Sequence, residues 1–138
     1  MSGNGRRRRG KKPTPSNETL DEPPVPRDGG NVMLSFRHLQ VGYGVEEMPP
    51  SQCSAFLIKW AKRSSLTWDD LARHGKHGLG YEKIPTSQIR PEVPEMYCED
   101  KVMIFRHEGN HAFAGFRAGD VFYVLWIEVN YGDLYDHG

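Results

Sequence analysis

The chain has 138 residues, 37% of them apolar and 11% aromatic, which is enough for one compact domain and little more. No apolar run approaches the roughly 20 residues needed to cross a bilayer, and the basic start has no apolar stretch behind it of the kind a secretory signal needs, so a cytoplasmic protein is expected. Its 18 basic and 18 acidic residues balance overall, yet seven basic and only four acidic residues fall within positions 1–30, leaving a basic leader on a mildly acidic body.

That leader, residues 1–30, combines Arg6, Arg7, Arg8, Arg9, Lys11 and Lys12 with Gly, Pro, Ser and Asn. It holds too little apolar surface to offset the entropy of ordering and is expected to be disordered. Two readings of RRRRGKK stand side by side. One is contact with RNA, DNA or an acidic partner through counterion release; the other is a solvated leader that aids solubility. Residues 31–138 read as a single domain.

The body begins with VMLSFRHLQV, residues 32–41, in which Met33, Ser35 and Arg37 alternate with Leu34, Phe36 and His38 as in a strand. Gly42, Gly44 and the Pro49-Pro50 pair then break the chain, and Ser51 stands where a helix N-cap is expected. In QCSAFLIKWAKRSS, helical spacing gathers Cys53, Phe56, Leu57, Trp60 and Ala61, with Lys59, Lys62 and Arg63 mostly on the other side. A second helix is predicted in LTWDDLARHG, capped by Thr67, with Asp69 and Asp70 at its positive end and Gly75 closing it. Glycines 75, 78 and 80 follow, but without the lysine spacing or the following helix of a phosphate loop.

Beyond a proline-punctuated connection, VMIFRH, HAFAGFRA and DVFYVLWIEV are short and rich in aromatic and β-branched residues, as strands are. EGN and AGD between them are turn sequences, with Gly109-Asn110 and Gly119-Asp120 suited to positive φ. Cys53 and Cys98 lack a C-x-x-C partner and read as free buried thiols.

The stretch HEGNH, His107 to His111, spells the H-E-x-x-H of zinc peptidases. That chemistry needs both histidines on one helical face. Gly109 and Asn110 are poor helix residues between strand-like flanks, so His107 and His111 are expected to border a hairpin turn; Glu128, the third ligand one would seek, lies in a further strand. A zinc hydrolase is therefore a minor alternative. The expected fold class is α+β: two N-terminal helices packed on one face of a small, twisted, mainly antiparallel sheet, in a strand–helix–helix–strand-meander order.

This order, the small size and the ending VFYVLWIEVNYGDLYDHG make residues 31–138 resemble the RelE/ParE-like toxin superfamily, the toxins of toxin-antitoxin pairs. The resemblance implies a metal-independent endoribonuclease that cuts messenger RNA, often on the ribosome, without a cofactor. It also implies an antitoxin partner, while the lack of a long apolar run points to no membrane association; other members of the superfamily poison gyrase. Tyr135 and His137 match the family's C-terminal Tyr/His element, and Glu82 or Lys83 the residue that follows the second helix. The family's arginine near the start of the penultimate strand has no clean counterpart: His111 stands there and Arg117 comes later.

Independently of any family, RNA cleavage without metal needs a base for the 2′-OH, cations for the charged phosphorane and an acid for the leaving 5′-oxygen. His77, Glu82, Lys83, Arg106, Arg117, Tyr135 and His137 form the pool of such groups. Each also has a plainer reading, as an exposed strand charge, a surface ion pair or a solvated chain end. A rival of another class is a binder without chemistry, with Phe113, Phe116, Phe122, Tyr123 and Trp126 as a stacking platform for single-stranded RNA. A third is a protein-interaction module that uses a sheet edge or the helix pair.

Overall fold

The computed structural model describes residues 30–137; the basic cluster Arg6–Lys12 and nearly all of the leader lie outside them. The elements are β1 (Met33–Ser35), α1 (Pro50–Arg63), α2 (Trp68–Ala72), β2 (Glu82–Pro85), β3 (Lys101–Glu108), β4 (His111–Ala118) and β5 (Val121–Ile127), with 3-10 turns at Val45–Glu47 and Thr86–Gln88. They form one five-stranded sheet in the order β1-β5-β4-β3-β2.

This corrects the expected fold class. The sheet is mixed, because β1 lies parallel to β5 while the other pairs are antiparallel. One main helix of 14 residues and one of five follow the first strand, so among the described residues no helix pair precedes the sheet. A parallel pair needs a long crossover, and here everything from α1 to β4 separates β1 from its neighbour. Strand β1 is also far shorter than the alternating run 32–41, ending where Leu39 N–H bonds to Phe36 O in a turn.

The main helix starts one residue before the expected cap. Pro50 takes the first helical position, where its missing N–H costs nothing, and Ser51 is helical. Its buried face is Gln52, Phe56, Trp60 and Arg63, while Leu57 stays 64% exposed. The apolar stripe is thus rotated from the expected one and includes a cation. Thr67 caps α2 as expected: its Oγ accepts from Asp70 N–H at 3.1 Å and the Asp70 carboxylate accepts from Thr67 N–H at 3.0 Å. The β3–β4 and β4–β5 turns place Gly109 at φ 55° and Gly119 at φ 60°, the left-handed region that favours glycine.

Strand alternation divides the core between the two faces. On the helix side Phe56, Trp60, Trp68 and Leu71 pack with Met103, Phe105, Phe113 and Phe122; Phe56 and Phe113 lie 4.7 Å apart between ring centroids. On the other side Val102, Ile104, Ala114 and Trp126 are covered by Ile89 of the connecting segment and by Leu134 and Tyr135 of the C-terminal tail. Each fully buried side chain of this size stabilises the fold by roughly 1.5–3 kcal/mol. Both cysteines are free, but Cys98 is exposed and Cys53 only half-buried, so the expectation of two buried thiols fails. No helix among the described residues is long and apolar enough to cross a membrane.

Candidate functional site

The stretch HEGNH forms the end of β3, a tight turn and the start of β4. It therefore lacks the helical face that H-E-x-x-H metal binding requires. His107 lies fully buried on the helix side, its Nε2–H donating to Glu128 O at 2.7 Å. Burial, partly offset by that hydrogen bond, pushes its pKa down to about 4 and keeps the ring neutral. Among the described residues no group of three or more His, Cys, Asp or Glu side chains is arranged to hold a metal ion.

The polar groups converge on the opposite face. There an open cleft of about 390 Å³ is lined by Lys76, His77, Glu82, Ile84, Gln88, Arg106, Asn110, Tyr131, Tyr135, Asp136 and His137. The loop after α2, the β2–β3 edge and the C-terminal tail supply most of it, with Gln88 from the 3-10 turn after β2 and Asn110 from the β3–β4 turn.

The loop is held in place by a buried cation. Arg63, at the end of α1, is fully buried; its Nε–H donates to Leu79 O at 2.7 Å, and Nη2 donates to Gly78 O at 3.3 Å and to Arg106 O at 2.9 Å. Its guanidinium lies 4.8 Å from the Phe105 ring centroid, an attractive contact with the ring face. Burial lowers its pKa to about 10, so it remains charged at neutral pH. Gly78 and Gly80 N–H both donate to Gly75 O, which folds the loop tightly. A Cβ on Gly80 would lie 2.2 Å from His74 O, so the close turn needs glycine there. His77 Nδ1 sits 3.2 Å from Asn110 Oδ1, which joins the loop to the β3–β4 turn.

At the sheet edge, Glu82 bridges two cations, 2.7 Å from Arg106 Nη2 and 3.1 Å from Lys76 Nζ. Burial pushes the Glu82 carboxyl up, but the hydrogen bonds and charges of Arg106 and Lys76 outweigh it and hold the group below the usual range. Arg106 is only 3% exposed, and its Nε and Nη1 have no hydrogen-bond partner. Buried donors of this kind are costly unless something accepts from them.

The C-terminal tail turns back at Asn130–Asp133, with Gly132 at φ 94°. This turn returns Tyr135 and His137 to the end of the sheet. The His137 ring lies between Tyr131 and Tyr135, with centroids at 4.1 and 4.2 Å, and its Nε2 is 3.0 Å from both carboxylate oxygens of Glu128. Far from being a frayed end, its side chain is 5% exposed. Burial pushes the Tyr135 phenol up to about 12, so its hydroxyl stays protonated at neutral pH and serves as a donor, not as a base.

Of the residues singled out from sequence, His77, Glu82, Arg106, Tyr135 and His137 meet in this cleft. Lys83 and Arg117 do not. Lys83 pairs with Met103 of the helix-side core, so its side chain leaves the sheet on the face opposite to Glu82. Arg117 stacks over Trp68 at 4.6 Å and donates to Gly119 O at 2.6 Å. Together with Lys101, these two line a separate hollow. The aromatic platform also dissolves: Phe113, Phe116, Phe122 and Trp126 are buried and only Tyr123 is partly accessible. Sequence reading missed Lys76, Asn110, Tyr131 and the pairing of Glu128 with His137. The turn sequence NYGD directly after a strand was the available sign that the tail folds back.

Comparison with known proteins finds no matching family model, no matching curated protein and no matching solved structure.

Proposed function

We propose that the cleft binds single-stranded RNA and cleaves it without a metal ion, as expected of a messenger-RNA endoribonuclease toxin. The observation that carries this reading is the meeting of Arg106, Lys76, His77, Tyr135 and His137 along one open polar cleft. Cations and hydroxyl donors suit a phosphate, and an imidazole can both take and give a proton.

In the reaction, His137 takes the proton of the 2′-OH as its oxygen attacks phosphorus. The P–O5′ bond breaks, and His77 protonates the departing 5′-oxygen. The products are a 2′,3′-cyclic phosphate and a 5′-hydroxyl end. Arg106 and Lys76 stabilise the phosphorane, with Glu82 releasing them to the substrate as it binds. The aromatic side chain of Tyr131, 56% exposed at the rim, suits the stacking of an unpaired base.

The test uses the purified full chain with chelator present, single-stranded RNA, and the same oligonucleotide carrying 2′-deoxyribose throughout. Cleavage of the RNA alone, with cyclic-phosphate ends and a loss of at least about 10²-fold in His137→Ala, is the expected result. Equal cleavage of the deoxy strand, or no cleavage of either, would overturn the proposal.

A further inference from the structure

Glu128 is a fully buried carboxylate whose one ion-pair partner among the described residues is His137. Its oxygens are nonetheless saturated. Oε1 accepts from Ala112 N–H at 3.0 Å, and Oε2 accepts from Gly132 N–H at 2.9 Å and from Leu134 N–H at 3.3 Å. His137 Nε2 completes the set at 3.0 Å from both oxygens. A carboxylate offers about four acceptor positions and no donor, so three backbone N–H groups and one ring N–H match it fully. A protonated carboxyl would turn its O–H toward one of these donors.

We infer that Glu128 is the positioning residue of the cleft: it holds His137 in the Nε2–H tautomer and leaves Nδ1 as the nitrogen that takes the proton from the substrate. This rests on the nuclease reading of the cleft for its consequence, but the pairing itself stands on the geometry. The same carboxylate anchors the tail through Gly132 and Leu134, so one buried group fixes both where His137 lies and which nitrogen it offers. The Tyr131 and Tyr135 rings stack against His137 and restrict its rotation. Glu128 lies one residue beyond β5 and accepts from Ala112 N–H near the start of β4, so the clamp joins the tail to the sheet.

Two measurements on the full chain test the inference. Long-range ¹H–¹⁵N NMR correlation of the imidazole rings, recorded with the His137 ring neutral, should show Nε2 protonated and Nδ1 bare in the wild type. This needs no variant and is therefore insensitive to whether substitutions fold. The second is a cycle on RNA cleavage: Glu128→Gln should lower kcat on the order of 10²-fold with KM within about twofold, and should add little to His137→Ala. A wild-type His137 in the Nδ1–H tautomer would overturn the inference. So would Glu128→Gln lowering the residual activity of His137→Ala as much as it lowers that of the wild type, because Glu128 would then act independently of the histidine. A wild type that cuts no RNA would sink the nuclease reading, while the tautomer would still decide the Glu128–His137 pairing.

Discussion

The acid sensitivity of the fold should trace to His107. Its ring is fully buried among Phe56, Phe113 and His111, with Nδ1 unpartnered and Nε2–H bonded to Glu128 O. In the unfolded chain the ring titrates near 6.5, whereas in the fold burial holds it at about 4. Between these values the unfolded state carries a proton that the folded state does not. The stability conferred by the neutral ring is therefore present above about pH 6.5 and is lost as pH falls toward 4. At about 1.4 kcal/mol per pH unit, the gap is worth about 3 kcal/mol. Urea unfolding of the wild type and of His107→Gln, which keeps an N–H for the Glu128 carbonyl, checks this. From about pH 7.5 to about pH 4 the wild type should lose about 3 kcal/mol more than the variant. Parallel pH dependences of the two proteins would refute the reasoning.

Three further substitutions probe other parts of the structure. Gly115→Ala places a Cβ 1.9 Å from Tyr123 O at the β4–β5 bulge, so it should destabilise by about 1–3 kcal/mol, read as a lower urea midpoint; an unchanged midpoint would mean that the bulge is looser than described. Thr67→Ala removes the cap of α2 and should cost about 1 kcal/mol in the same assay. Lys83→Ala, on the face opposite the cleft, should leave RNA cleavage within about twofold of the wild type, and a loss as large as that of His137→Ala would contradict its placement.

What the sequence revealed and what it hid have physical reasons. Strands β3, β4 and β5 carry aromatic and β-branched runs separated by glycine turns, and those local signals survive folding because the turns at Gly109 and Gly119 need positive φ. The Thr67 capping box is equally local. The parallel β1–β5 pairing is not local, since nothing in MLS distinguishes a parallel from an antiparallel neighbour. Strand β2, in EKIP, is too short and too polar to stand out. Arg63 and Glu128 were hidden for a further reason. A charged residue is expected at the surface, and only their tertiary partners, the carbonyls of Gly78, Leu79 and Arg106 for one and the backbone N–H groups of Ala112, Gly132 and Leu134 for the other, make burial possible. His77, Glu82, Arg106, Tyr135 and His137 were named for their chemistry; that they share a cleft while Lys83 and Arg117 leave it follows from strand register and from the turn at Asn130–Asp133.

The most direct test of the central claim is to induce the wild type and His137→Ala in a bacterial host, follow growth and map new 5′-hydroxyl ends on abundant messenger RNAs. Growth arrest with discrete new ends is expected in the wild type, and neither in an equally abundant, folded His137→Ala variant. Growth without new ends in both strains, or the same ends in both, would contradict that claim.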